Sequence, residues 1–168
     1  MNLLIPITFT VIGDPKAQPR MRAFKNPAGQ VRTYDPATAE GWKSLIAQAA
    51  KPFVPFPAWD GPVAIEIHFR FRRPKAHFTK KGLRPTAPTW KTGKPDTDNL
   101  EKALFDCLTQ IGFWLDDGQA CSVHVQKLYG DPPGATITLR QLQDTPTPIV
   151  AKPKDAPCAQ QDFTLTAQ

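Results

Sequence analysis

The chain is poor in cysteine, in histidine and in long apolar runs, and each shortage removes a class of function. Its three cysteines, Cys107, Cys121 and Cys158, form no CxxC pair. An odd number at wide spacing argues against a disulfide framework and against a thiolate zinc site. Cys107 falls at an apolar helix position and reads as a small core residue. The three histidines, His68, His77 and His124, are scattered rather than set at metal-ligand spacing. No apolar run approaches the roughly 18–20 residues that cross a bilayer. The opening "MNLLIPITFTVIG" has no basic stretch ahead of its apolar residues, so it reads as a first strand, not a signal peptide. A cytoplasmic setting with no membrane partner and no small-molecule cofactor is expected.

Acidic residues are scarce in the front of the chain and gather later. Residues 1–94 carry 16 Lys and Arg against 5 Asp and Glu, whereas residues 95–168 carry 5 against 10. The net +6 of the whole chain therefore hides a strongly basic front part. Such a surface attracts nucleic acid by neutralising phosphates and releasing counterions, although a solvated basic face is the plainer alternative. The length, 168 residues, suits one domain with a modest core.

Periodicity supplies the elements. Leu4, Ile7, Phe9 and Val11 mark an imperfectly alternating first strand. "GDPKAQPRMRAFKNPAGQVRTY" is rich in turn formers and bases and reads as a loop or loose hairpin with "NPAG" at its tip. A helix follows, with Asp35 as N-cap, Pro36 in its first position and Trp42, Leu45, Ile46 and Ala49 on one face. In "PVAIEIHFRFR", Val63, Ile65, Ile67, Phe69 and Phe71 alternate with polar or small residues as a half-buried strand. Residues 73–95 read as a long basic loop. A second helix starts near Asp98, buries Leu100, Ala103, Leu104, Cys107 and Leu108, and stops near Gly112. Two strands close the domain, the first with Cys121, Val123 and Val125 inward, joined by a "GDPPG" turn. The order β-α-β-α-β-β implies a two-layer α+β sandwich, a small mixed sheet with helices on one face. The domain is expected over residues 1–143. Residues 144–168 read as a proline-rich, disordered tail.

The acids concentrate in "KPDTDNLEKALFD" and "WLDDGQ". Asp96 and Asp98 flank the start of the second helix and point to one side if that stretch is extended. Asp116 and Asp117 stand between an apolar piece and a strand. Carboxylate oxygens are hard ligands that suit Mg²⁺ or Mn²⁺. Phosphodiester hydrolysis needs an activated water and compensation for developing charge, and ions held by several carboxylates supply both. Lys102 adds a point charge toward a scissile phosphate or leaving oxygen. The plainer uses are helix capping by Asp96 or Asp98, turn formation by "DDGQ", and an i, i+4 ion pair between Asp98 and Lys102. An EF-hand loop is excluded, because Glu101 stands where that loop needs glycine.

The combined stretch "PDTDNLEKALFDCLTQIGFWLDDGQ" resembles the signature of the RusA family of Holliday junction resolvases, the crossover junction endodeoxyribonucleases. The shared features are D-x-D-N-L-x-K, a helix stripe ending A-L-F-D-x-L, and F-W-L-D-D-x-Q at matching spacing. The likeness covers about residues 95–140 well and the front half more loosely. It implies a homodimeric, Mg²⁺-dependent enzyme that binds four-way DNA junctions and resolves them with paired symmetrical nicks. It places essential acids at Asp96, Asp98 and Asp117 and an essential lysine at Lys102, with Asp116 beside them as a further candidate metal ligand. Arg20, Arg22, Lys25, Arg32, Arg72, Arg73, Lys75, Lys80, Lys81 and Arg84 are candidates for gripping DNA, and Phe78 and Trp90 for wedging at the crossover. The competing readings are a metal nuclease for other branched DNA and a non-catalytic DNA-binding module. A host, prophage or phage setting stays open.

Overall fold

The computed structural model describes residues 5–143. Leu4, Cys158 and the whole tail expectation at 144–168 lie outside the described residues. Among those described, the elements in chain order are β1 (Ile7–Ile12), β2 (Arg22–Lys25), β3 (Val31–Tyr34), α1 (Glu40–Ala50), β4 (Val63–Phe71), β5 (Phe78–Thr79), β6 (Gly82–Leu83), α2 (Thr97–Gln110), β7 (Ala120–Tyr129) and β8 (Gly134–Gln141). Short 3-10 turns follow α1, precede β5 and precede β7. No helix among the described residues is long and apolar enough to cross a membrane.

Four strands form a mixed sheet in the order β1-β8-β4-β7. β8 is antiparallel to both β1 and β4, and β7 is parallel to β4. Alternation decides which face is covered. Phe9, Val11, Val63, Ile65, Ile67, Phe69, Phe71, Ala135, Ile137 and Leu139 are buried in one cluster with Trp42 and Ile46 of α1 and Leu100, Leu104 and Leu108 of α2. The other face carries Thr8, Thr10, Glu66, His68, Arg70, Thr136 and Thr138, bonded across strands by Thr8–Thr138 at 2.9 Å and Arg70–Thr136 at 2.8 Å. The fold is thus the expected two-layer α+β arrangement. The helix stripe from Leu100 to Leu108 is buried as its spacing requires.

Five local expectations are corrected. α1 starts at Glu40 with Ala39 before it, not at Asp35 and Pro36. Ala37 has φ +55, which no helix accommodates, and Asp35 Oδ1 instead accepts the Ala37 N–H at 2.8 Å in a local turn. Leu45 is 38% exposed, and the buried face of α1 runs through Trp42, Ile46 and Ala50. Residues 73–95 are not only loop, since they contain the small β5–β6 hairpin. β7 and β8 are not paired, because β4 lies between them. β7 is an outer strand, so Cys121 is exposed and Val123 is 39% exposed rather than inward. Gly134 is where β8 starts against β1, and any Cβ there would collide with the Val11 carbonyl.

Candidate functional site

Two pieces of chain bring the acids onto α2. The first is its own start. Asp96 precedes the helix in an extended conformation, φ −73 and ψ 147, while Asp98 already lies in the first turn. The idea that both sit on one extended strand therefore does not hold, though both side chains are exposed. Aspartate is a favoured N-cap, yet the Asp96 side chain makes no capping hydrogen bond. Asp98 Oδ1 accepts from Asn99 Nδ2 at 3.1 Å. Lys102 is exposed one turn later and forms no ion pair with Asp98; among the described residues the ion pairs join Lys43 to Glu40 and Asp106, and Glu66 to His68. The structural uses open to Asp96 and Lys102 are not taken up.

The approach to Asp96 is held from outside. Lys127 of β7 donates through Nζ to the carbonyls of Gly93 at 3.1 Å and Pro95 at 2.7 Å. Tyr129 N–H donates to Thr89 O at 2.9 Å and Lys91 N–H to Lys127 O at 3.0 Å, so residues 89–91 run beside β7. On the other side, Gln18 N–H donates to Asn99 O at 2.8 Å and docks residues near 18 on the first turn. Burial pushes the Glu101 carboxyl above its ordinary value, and the charge of Asp98 adds to that shift.

The second piece is the return of the chain after α2. Gly112 takes φ +76, its N–H bonds Thr109 O, and the Phe113 N–H bonds Leu108 O, each at 3.0 Å. This Schellman closure needs a left-handed residue, which glycine supplies without strain. It turns Phe113 and Trp114 into the core, where the Trp114 ring meets Phe105 edge-on at 5.8 Å and its Nε1–H donates to Thr109 Oγ1 at 2.7 Å. Asp116 then caps a 3-10 turn, Asp117–Gln119, its Oδ1 accepting Gly118 N–H at 2.7 Å. Gln119 pins this turn at four points. Its Oε1 accepts from the N–H groups of Leu115 and Asp116, both at 2.9 Å, and its Nε2 donates to Trp59 O at 3.0 Å and Gly61 O at 2.9 Å. Gln119 closes the F-W-L-D-D-x-Q stretch, and nothing in the sequence alone assigns it this role. The turn packs against α2 and leaves Asp117 exposed.

Asp96 and Asp98 thus stand at the start of α2, and Asp116 and Asp117 on the turn that packs on the same helix. Among the described residues no three His, Cys, Asp or Glu side chains stand close enough together to hold a metal ion. The donor chemistry nevertheless fits a hard divalent cation, since Asp96, Asp98 and Asp117 offer exposed carboxylates that no capping bond or ion pair ties down.

A basic groove leads to Asp96. A cleft of about 360 Å³ is lined by Gln18, Arg20, Lys94, Pro95, Asp96 and Asn99. It shares Ala17, Lys94 and Pro95 with a neighbouring groove of about 400 Å³ that adds Lys16, Arg72 and Lys91. Arg20 and Arg72 are among the candidates for gripping DNA; Lys16, Lys91 and Lys94 line the same grooves and are not, although Lys94 lies two residues before Asp96. Arg22, Lys25 and Arg32 are exposed on the β2–β3 hairpin, and Lys75, Lys80, Lys81 and Arg84 are exposed around β5–β6. Arg73 donates to Pro88 O at 2.8 Å and lies over the Tyr129 ring at 5.7 Å. Phe78 and Trp90 are exposed, and Trp90 bridges to Leu128 through its backbone.

The chain is similar to known proteins. A family model described as Endodeoxyribonuclease RusA matches residues 13–140. The Bacillus subtilis (strain 168) protein named Uncharacterized protein YqaN is 31% identical over 140 residues, 81% of this chain and 96% of that protein. Proteins named Crossover junction endodeoxyribonuclease RusA, from Escherichia coli (strain K12) and Enterobacteria phage 82, are each 58% identical over 33 residues. Those shorter matches span 20% of this chain and 28% of each relative.

Proposed function

The chain belongs to the RusA family of endodeoxyribonucleases, and from that premise we propose that it is a Mg²⁺-dependent nuclease that resolves four-way DNA junctions by paired symmetrical nicks. The observation that carries the reading is the state of the acids. Asp96, in the wall of a basic groove, occupies a cap position without capping, and Lys102, one turn after Asp98, forms no ion pair with it. Side chains placed for structure would make those bonds.

Asp96, Asp98 and Asp117 would hold the ion, with Asp116 positioning the turn through its bond to Gly118. Mn²⁺ has the same ligand preference and is the natural substitute. When bound, the ion supplies Lewis-acid stabilisation of the phosphoryl oxygens and a more acidic water. The remaining work falls to the protein. Lys102 places a mobile ammonium where negative charge grows on the phosphate or the leaving oxygen. Arg20, Lys94, Lys16, Arg72 and Lys91 hold the strand that enters the groove. Such contacts position the backbone and carry no base sequence, so selectivity rests on DNA shape. Two symmetrical nicks require two centres, hence a homodimer with two-fold symmetry matching the junction. A DNA-acting enzyme of this kind works in the cytoplasm.

The test is cleavage of synthetic four-way junctions, flaps and linear duplex in Mg²⁺, with nicks mapped on every strand. Paired nicks at symmetry-related positions of the junction are expected. Unpaired nicks, or a preference for flaps, would replace the resolvase reading with a nuclease for other branches. Salt-sensitive binding without any nicking would leave only a DNA-binding module.

A further inference from the structure

The β2–β3 hairpin gives nothing to the core, since every residue of both strands is exposed. Its register sets Arg22 opposite Tyr34 and Phe24 opposite Arg32. Opposed residues and residues two apart share a face, so these four side chains form one surface. On it the rings of Phe24 and Tyr34 meet edge to face at 6.0 Å, yet remain 49% and 44% exposed. The surface is therefore two open rings with a guanidinium opposite each. Cross-strand packing accounts for the pair touching; it does not account for both rings staying open to solvent.

Charge selects the occupant. Between Pro15 and Tyr34 the chain carries Lys16, Arg20, Arg22, Lys25 and Arg32 and no acid. A second copy of the hairpin laid on this face would set arginines against arginines. A strand of nucleic acid meets both halves of the surface, phosphates on the guanidinium groups and a base on the rings. Arg20, two residues before β2, lines the same cleft as Asp96. In an open junction the bases flanking the branch point lack one stacking neighbour, so they cost less to extrude than bases inside an arm.

We propose that the Arg22, Phe24, Arg32 and Tyr34 face of this hairpin holds an unstacked nucleobase of the DNA strand at the branch point. The proposal rests on the nuclease reading above. It is tested by placing 2-aminopurine at each branch-point position of a four-way junction and adding the full chain in EDTA, while nicking is followed in parallel in Mg²⁺. The expected result is a fluorescence change at one or more branch positions that is lost in Phe24→Ala and Tyr34→Ala. Phe24→Leu, which keeps apolar packing without a ring, loses it too, and Phe24→Trp keeps it. Junction affinity falls about ten-fold in the ring-less variants, the order expected for one lost base–aromatic stack. Thermal melts matching the parent show that the hairpin variants remain folded. An unchanged signal in Phe24→Leu would overturn the proposal. So would nicking by the parent with no 2-aminopurine response at any branch position, which would leave the nuclease reading standing. Failure of the parent to bind or nick any branched DNA would remove both. A variant that alters only the sedimenting size would make the hairpin a contact between copies instead.

Discussion

Gln119→Ala is the substitution whose cost follows most directly from the structure. The side chain makes four hydrogen bonds, two accepted from Leu115 and Asp116 and two donated to Trp59 and Gly61. A neutral hydrogen bond contributes roughly 0.5–1.5 kcal/mol net, so four contribute about 2–6 kcal/mol. The expected loss is read from urea unfolding of the parent and the variant. The same bonds fix the turn that carries Asp116 and Asp117 against the 59–61 segment. Freeing that turn is expected to slow nicking on the order of 100-fold, because small misplacements of a reacting group cost that much. Gln119→Glu sharpens the test. It keeps an acceptor for the two N–H groups but turns a carboxylate toward two carbonyls, so it is expected to be no more stable than alanine. A Gln119→Ala protein within about 0.5 kcal/mol of the parent, the range of neutral surface changes, would refute the reasoning.

Lys127→Met removes both bonds to Gly93 and Pro95 and is expected to lower the nicking rate more than junction affinity, because Lys127 acts on the segment before Asp96. A loss of affinity alone, with a salt slope smaller by about one, would make it a phosphate contact instead. Lys102→Ala is expected to slow cleavage more than it weakens binding; equal losses would make Lys102 an anchor. For Glu101, the folded-state pKa lies above the ordinary 4.5, so its protonated form favours the fold, and that stabilisation is lost as pH rises through the raised value. Glu101→Gln is therefore expected to melt higher than the parent near pH 7, with the gain vanishing below about pH 4.5. An equal gain at both pH values would show a cause other than ionisation.

Local patterns that depend on one element were legible in the sequence. The alternation of Val63 to Phe71 and the stripe from Leu100 to Leu108 each record which side meets the core, and both faces are buried as read. Gly112 likewise marks the end of α2, because only its left-handed φ allows the closing turn. What depends on partners was not legible. The parallel pairing of β4 with β7 is set by how the chain passes over the sheet, so Cys121 and Val123 looked inward and are exposed on an outer strand. The start of α1 was misread because Asp35 has two uses, capping a helix or closing a local turn, and the φ of Ala37 selects the second. In the candidate site, the aspartates stood out against a basic chain. Gln119, Lys127 and the groove lysines did not, since their roles rest on backbone carbonyls and cavity walls brought together from distant parts of the chain.

The central claim is that the acids on α2 and its returning turn hold a metal ion for phosphodiester hydrolysis. Asp98→Asn tests it most directly, by comparing junction nicking in Mg²⁺ with junction binding by the same preparation. On the proposed reading the substitution removes one ligand and one negative charge while keeping the side chain's shape. The account predicts loss of nicking with binding intact or tighter; undiminished Mg²⁺-dependent nicking by that variant would contradict it.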